Sequence, residues 1–153
     1  MMQTQTETVR KTRAQVYRDK VKIRLATDDA GPEIARVLKA NNIEFPGADW
    51  SKVFPHWLIA TVNDQVIGCI MVMTGKPVGF LEFLFVDPAV SFKLRAIAIR
   101  KLLLQGAATI RLYGAHALGG VVHVKNEKFA VVLKKIGFIP AALHMMMLKR
   151  LTD

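Results

Sequence analysis

The stretch "VGFLEFLFVDP", Val78 to Pro88, constrains this chain more than any other. It is apolar up to Asp87 except for Glu82. A strand with so little polar alternation belongs in the interior of a sheet, covered on both faces. It therefore predicts helices packed on the two sides of a sheet, and the flanking sequence supplies them.

Upstream, "KVKIRLAT" alternates Val21, Ile23 and Leu25 with Lys22 and Arg24, which is strand periodicity. "DDAGPEIARVLKANN" reads as a helix, with Asp28 or Asp29 as cap, Pro32 in the first turn and an apolar stripe of Ile34, Val37 and Leu38. "WLIATVNDQVIGCIMVMTG" reads as a hairpin turning at Asn63-Asp64. Downstream, Ala96, Ile99, Leu103, Gly106 and Ile110 form the seam of a long helix. "GGVVHV" is a short strand, and "NEKFAVVLKKIGF" a helix with Asn126 as N-cap and Gly137 as its stop. "AALHMMMLKRL" reads as a final strand, and a further helix fits within 46–55. Hairpins and crossover helices together give an α/β chain with a mixed sheet flanked by helices. Its 153 residues, 52% of them hydrophobic, suit one cored domain over 20–153, preceded by a mobile or weakly helical basic arm over 1–19.

The net charge of +10 is unevenly placed. Residues 1–24 carry seven basic side chains against Glu7 and Asp19, and Pro88 to Asn126 contains no acid at all. Both zones favour polyanions, either nucleic acid through residues 10–24 or a phosphorylated cofactor. No apolar run is long enough to cross a bilayer, and "MMQTQTETVRKTR" lacks the apolar core of a secretory signal. The lone Cys69 leaves no internal disulfide and fits a reducing compartment, so the expected location is cytoplasmic.

Several chemistries find no support. Ser51 and Ser91 lack a glycine elbow, and His56, His116, His123 and His144 have no metal-ligand spacing, so no metal is expected. There is no Walker or dinucleotide glycine fingerprint. Cys69, inside a strand, reads as a core residue. Glu82 is different. A carboxylate in an apolar strand is costly unless solvated, paired or functional, and burial would raise its pKa toward that of a general base. It sits four residues before Val86, which predicts the same side of the strand.

"NEKFAVVLKKIGF" resembles a segment near the C-terminus of the GNAT superfamily of N-acetyltransferases through Asn126, Glu127, Lys128, Lys135, Gly137 and Phe138. A second segment resembles the family's strand exit and central helix through Val86, Pro88, Arg95, Ala98, Leu103 and Leu104. The order of strands and helices over 20–151 is similar too. The resemblance implies a GNAT-like fold and transfer of an acetyl group from acetyl-CoA to an amine. It implies Glu82 as base and the backbone of Leu84, Phe85 and Val86 as the track for the pantetheine arm. Lys93, Arg95, Ala96, Ala98, Arg100 and Asn126 would contact the cofactor, with backbone N–H groups at a helix N-terminus holding its pyrophosphate. The acceptor would meet the 41–56 loop through Glu44, Asp49, Trp50 and His56. The sequence departs from the family in two places. The loop between Pro88 and Arg95 is about four residues longer than the family pattern, and Ala98 and Arg100 stand where glycines are usual. Leu133 stands where a tyrosine acid is common. These departures keep a second reading open, a non-catalytic protein of the same fold that binds nucleic acid or another acidic partner through its basic surface. An oligomer is compatible with either.

Overall fold

Asn63 and Asp64 have φ values of 48° and 63°, the left-handed pair a two-residue hairpin turn demands. The computed structural model describes residues 12–44, 57–120, 127–135 and 137–139. The turn joins β2 (Trp57–Val62) to β3 (Gln65–Met73), as the sequence predicts. With β1 (Lys22–Leu25), β4 (Val78–Val86) and β5 (Ala117–Gly120), these strands form a mixed sheet in the order β1-β2-β3-β4-β5. The first four are antiparallel neighbours, and β5 lies parallel to β4. A parallel neighbour needs a crossover, supplied by the helix α3 (Phe92–Leu112). The chain divides into two compact units, Met1–Gly120 and Val121–Asp153.

In the first unit, α3 covers one face of the sheet. Its buried seam is Ala98, Leu102, Leu103, Gly106 and Ile110. Ala96, expected in that seam, is exposed, because two residues turn a helix by about 200° and place it opposite Ala98. Helix and sheet approach closely at two glycines. A β-carbon on Gly106 would lie 2.6 Å from Leu81 Cδ2, and one on Gly79 would lie 2.5 Å from Ile110 Cγ2.

The other face is covered by α2 (Gly31–Ala40), whose Ile34, Val37 and Leu38 pack with Trp57, Ile59 and Cys69. Neither Asp28 nor Asp29 caps this helix. Residues Asp28–Ala30 form a 3₁₀ turn instead, and the Asp29 carboxylate accepts from Thr27 Oγ1. β1 is less buried than its alternation suggests, with Leu25 exposed. β4 is not covered on both faces along its length. Gly79, Leu81 and Val86 are buried, but Phe80 is exposed and the rest are half-buried. Among the described residues its neighbour β5 pairs with 78–81.

The basic arm contributes α1 (Arg13–Lys20), opened by a reciprocal capping box between Thr12 and Gln15. Lys101 of α3 donates to the carbonyls of Arg18 at 2.7 Å and Val21 at 2.6 Å, which ties the end of α1 to α3.

The second unit contains α4 (Glu127–Lys135). Gly137, at φ 96°, ends it. The N–H groups of Gly137 and Phe138 donate to the carbonyls of Lys134 and Leu133 at 3.1 and 3.0 Å. This is the Schellman arrangement anticipated from Gly137. The predicted helix in 46–55, the N-cap Asn126 and the final strand lie outside the described residues.

Candidate functional site

The register between β3 and β4 slips once. Gly68 pairs with Val86 and Cys69 with Phe85, but Met71 then pairs with Glu82 and Val72 with Leu81. Phe83 and Leu84 together stand opposite Ile70, which is a β-bulge. Phe83 takes a φ of 51°, and its ring stacks on Trp57 with centroids 6.2 Å apart.

The extra residue reverses the strand's alternation. Val86 shares the α3 face with Gly68, whereas Glu82 shares the α2 face with Met71. The expectation that Glu82 and Val86 face the same side is therefore corrected: a four-residue spacing preserves facing only in a strand without a bulge. Glu82 is half-buried. Among the described residues its carboxylate has no hydrogen-bond or ion-pair partner. Past the bulge, β4 has no strand on its β5 side among the described residues, since that pairing stops at Leu81 and Gly120. The Val86 carbonyl there accepts from Asn41 Nδ2 at 3.2 Å.

β4 leads directly into a compact turn. The Asp87 N–H donates to the Ile67 carbonyl at 2.8 Å, and Asp87 Oδ1 accepts from the Ala89 N–H at 2.9 Å. α3 then begins at Phe92, and its first intrahelical bond runs from the Arg95 N–H to the Ser91 carbonyl at 3.0 Å. The N–H groups of Phe92, Lys93 and Leu94 precede that bond, and the Ser91 side chain does not cap them. The stretch expected as a loop between Pro88 and Arg95 is thus helical from Phe92 on.

This start point rearranges the predicted phosphate site. Ala98 has no exposed surface and lies six residues into the helix, where its N–H belongs to the helix ladder. The N–H groups left open by the helix start are instead those of Phe92, Lys93 and Leu94. Lys93 and Arg100 are both exposed and two turns apart on one helix face, as their spacing predicts. Arg95 is half-buried, and its Nε is buried with no hydrogen-bond partner among the described residues.

Sequence reasoning did not find Arg36 or Asn41, both on or beside α2. Arg36 Nη1 meets Asp87 Oδ2 at 2.5 Å, its Nη2 donates to the Val66 carbonyl at 2.6 Å, and its Nε reaches Glu33 Oε2 at 3.1 Å. Asn41 bridges the carbonyls of Val37 and Val86. One helix thereby fixes the exit of β4. The Arg36 guanidinium, helped by the Ala89 N–H, holds the buried Asp87 carboxyl below the usual carboxylate range. A charged residue one position before the apolar Val37 was the available signal, and it looks like an ordinary surface arginine.

Cys69 is fully buried, and burial pushes its thiol up to about 12, as a core residue requires. Among the described residues no three His, Cys, Asp or Glu side chains group to hold a metal, and no helix is long and apolar enough to cross a membrane. Glu44 is exposed; Asp49, Trp50, His56 and Asn126 lie outside the described residues. Leu133 is half-buried in the second unit.

No family model and no curated protein sequence matches this chain. Solved structures do. An aminoglycoside N-acetyltransferase, AAC(6′)-Iy, solved with CoA, is 17% identical with a TM-score of 0.67, covering 86% of this chain and 95% of its own. An aminoglycoside acetyltransferase from an uncultured soil metagenomic sample, solved with sisomicin, is 13% identical with a TM-score of 0.68, covering 88% and 98%. Ard1 from Thermoplasma volcanium is 16% identical with a TM-score of 0.66, covering 80% and 85%. At such identities the likeness establishes a common fold, and the chemistry has to be argued from the residues above.

Proposed function

We propose that this chain, which has the GNAT acetyltransferase fold, is an acyl-CoA-dependent N-acyltransferase that passes an acetyl group to an amine. The observation that carries the reading is the continuity of β4 and α3. A bulge at Phe83 and Leu84 is followed within ten residues by N–H groups, at Phe92, Lys93 and Leu94, that have no partner among the described residues. Arg95 follows them in the same helix and adds positive charge there.

Bound acetyl-CoA supplies an acyl group activated as a thioester. The N–H groups of Phe92, Lys93 and Leu94 hold its pyrophosphate, with positive charge added by Lys93, Arg95 and Arg100. The backbone of Leu84, Phe85 and Val86 orients the pantetheine arm, and Ala96 and Asn126 are further contacts. Glu82 accepts the amine proton, directly or through a water, from the α2 side of β4. Backbone N–H groups would stabilise the negative charge that develops on the acyl oxygen. Leu133 has no acidic hydroxyl, so protonation of the leaving thiolate needs another acid or water. Residues 20–153 act in this reading as one domain.

A second reading has one observation in its favour: Lys101 ties the basic α1 to the acid-free α3, joining the two cationic zones of the sequence. Such a surface would bind nucleic acid with strong salt dependence. Calorimetric titration with acetyl-CoA, then thiol release across a panel of amines, separates the two. Binding followed by amine-dependent thiol release is the expected result. Absence of both, with a DNA duplex bound at physiological salt, would replace the first reading by the second.

A further inference from the structure

α1 is an odd element. It is polar almost all round, and Val16 and Tyr17 stay 42% and 36% exposed. It buries too little apolar surface to be there for the core. Yet it is capped at its start, and Lys101 ties its end to α3.

Its docking places Tyr17 against the first turn of α3. The Lys20 ammonium lies 5.5 Å from the Tyr17 ring centroid, and the Lys93 ammonium 5.8 Å from it. The ring attracts both through its quadrupole. Two like charges are thus gathered at one aromatic ring. Neither lysine forms an ion pair among the described residues. The one carboxylate of α1 is Asp19, and α3 has none.

We infer that Tyr17, Lys20 and Lys93 form a clasp for a phosphate monoester, the 3′-phosphate of the CoA ribose. The inference rests on the acyl-CoA reading above. Lys93 links the two parts of the ligand. Its N–H is one of the free donors offered to the pyrophosphate, and its ammonium reaches the clasp. A phosphate monoester carries about −1.5 to −2 at pH 7, which matches two ammonium groups. A nucleic-acid backbone presents single charges in a row, and suits a pair gathered on one ring less well. The clasp also assigns α1 a purpose: it selects the phosphorylated cofactor over its 3′-hydroxyl form.

The test compares CoA with 3′-dephospho-CoA by calorimetry, using the full-length chain. The parent should bind CoA about tenfold more tightly, the size of one charge-assisted contact. Lys20→Ala and Tyr17→Ala should each bring the ratio close to one by weakening CoA alone. Lys20→Arg and Tyr17→Phe should keep it. Both positions are exposed, so the variants should unfold like the parent. Equal binding of the two ligands by the parent overturns the clasp and leaves the acyl-CoA reading standing. So does a preference that survives Lys20→Ala and Tyr17→Ala. Binding of neither ligand overturns both. A short DNA strand that displaces CoA more effectively than free 3′,5′-ADP does would also overturn the clasp, by assigning the lysines to a polymer.

Discussion

Glu82 carries the most specific chemical claim. Glu82→Gln keeps the shape and removes the base. Thiol release with a saturating amine should fall about 10²-fold, with acetyl-CoA affinity changed less than about twofold. Full activity from about pH 6 to pH 9 would make the residue structural. Asp87 makes a claim about stability instead. Its folded pKa lies below its unfolded value, so its contribution is fully present above the ordinary carboxylate range and is lost as pH falls through the folded value. Asp87→Asn should lower stability at pH 7 by about 1–3 kcal/mol, because Arg36 loses its charged partner. The variant's melting temperature should also decline less than the parent's on acidification below about pH 4. Parallel acid limbs in the two proteins would contradict this. These two residues also show what the sequence discloses at this scale. Glu82 stands out as a single acid among apolar neighbours. Its facing does not, because alternation counts residues and cannot register one that bulges out of the count. Arg36 is hidden for another reason: its partners Val66 and Asp87 are distant in sequence.

At the level of elements, the start of α3 decides where an anion can bind. Lys93→Glu with Arg100→Glu changes two exposed side chains on one helix face. It should leave the unfolding transition intact and weaken acetyl-CoA binding by at least about tenfold. Unchanged affinity in the folded double variant would remove the phosphate site from this helix. α1 gives a second expectation. Deleting residues 1–19 should leave cooperative unfolding, since the segment buries little, and cost about 1 kcal/mol, or about 2–4 °C in Tm. Loss of the transition would mean that α1 carries part of the core. The helices and the hairpin were legible because periodicity and turn chemistry are local. The first turn of α3 had one local signal, Ser91, a favoured N-cap type that does stand at the cap, but its side chain makes no capping bond and no glycine marks the turn.

For the molecule as a whole, the mixed architecture followed from one apolar strand and its neighbours. The packing distance between α3 and β4 did not, yet it has a consequence in genetics. Every missense change of a glycine codon introduces a β-carbon. At codons 79 and 106 that carbon arrives 2.5 Å from Ile110 and 2.6 Å from Leu81, well inside van der Waals contact, so every missense allele at either forces a side chain beneath the helix to move.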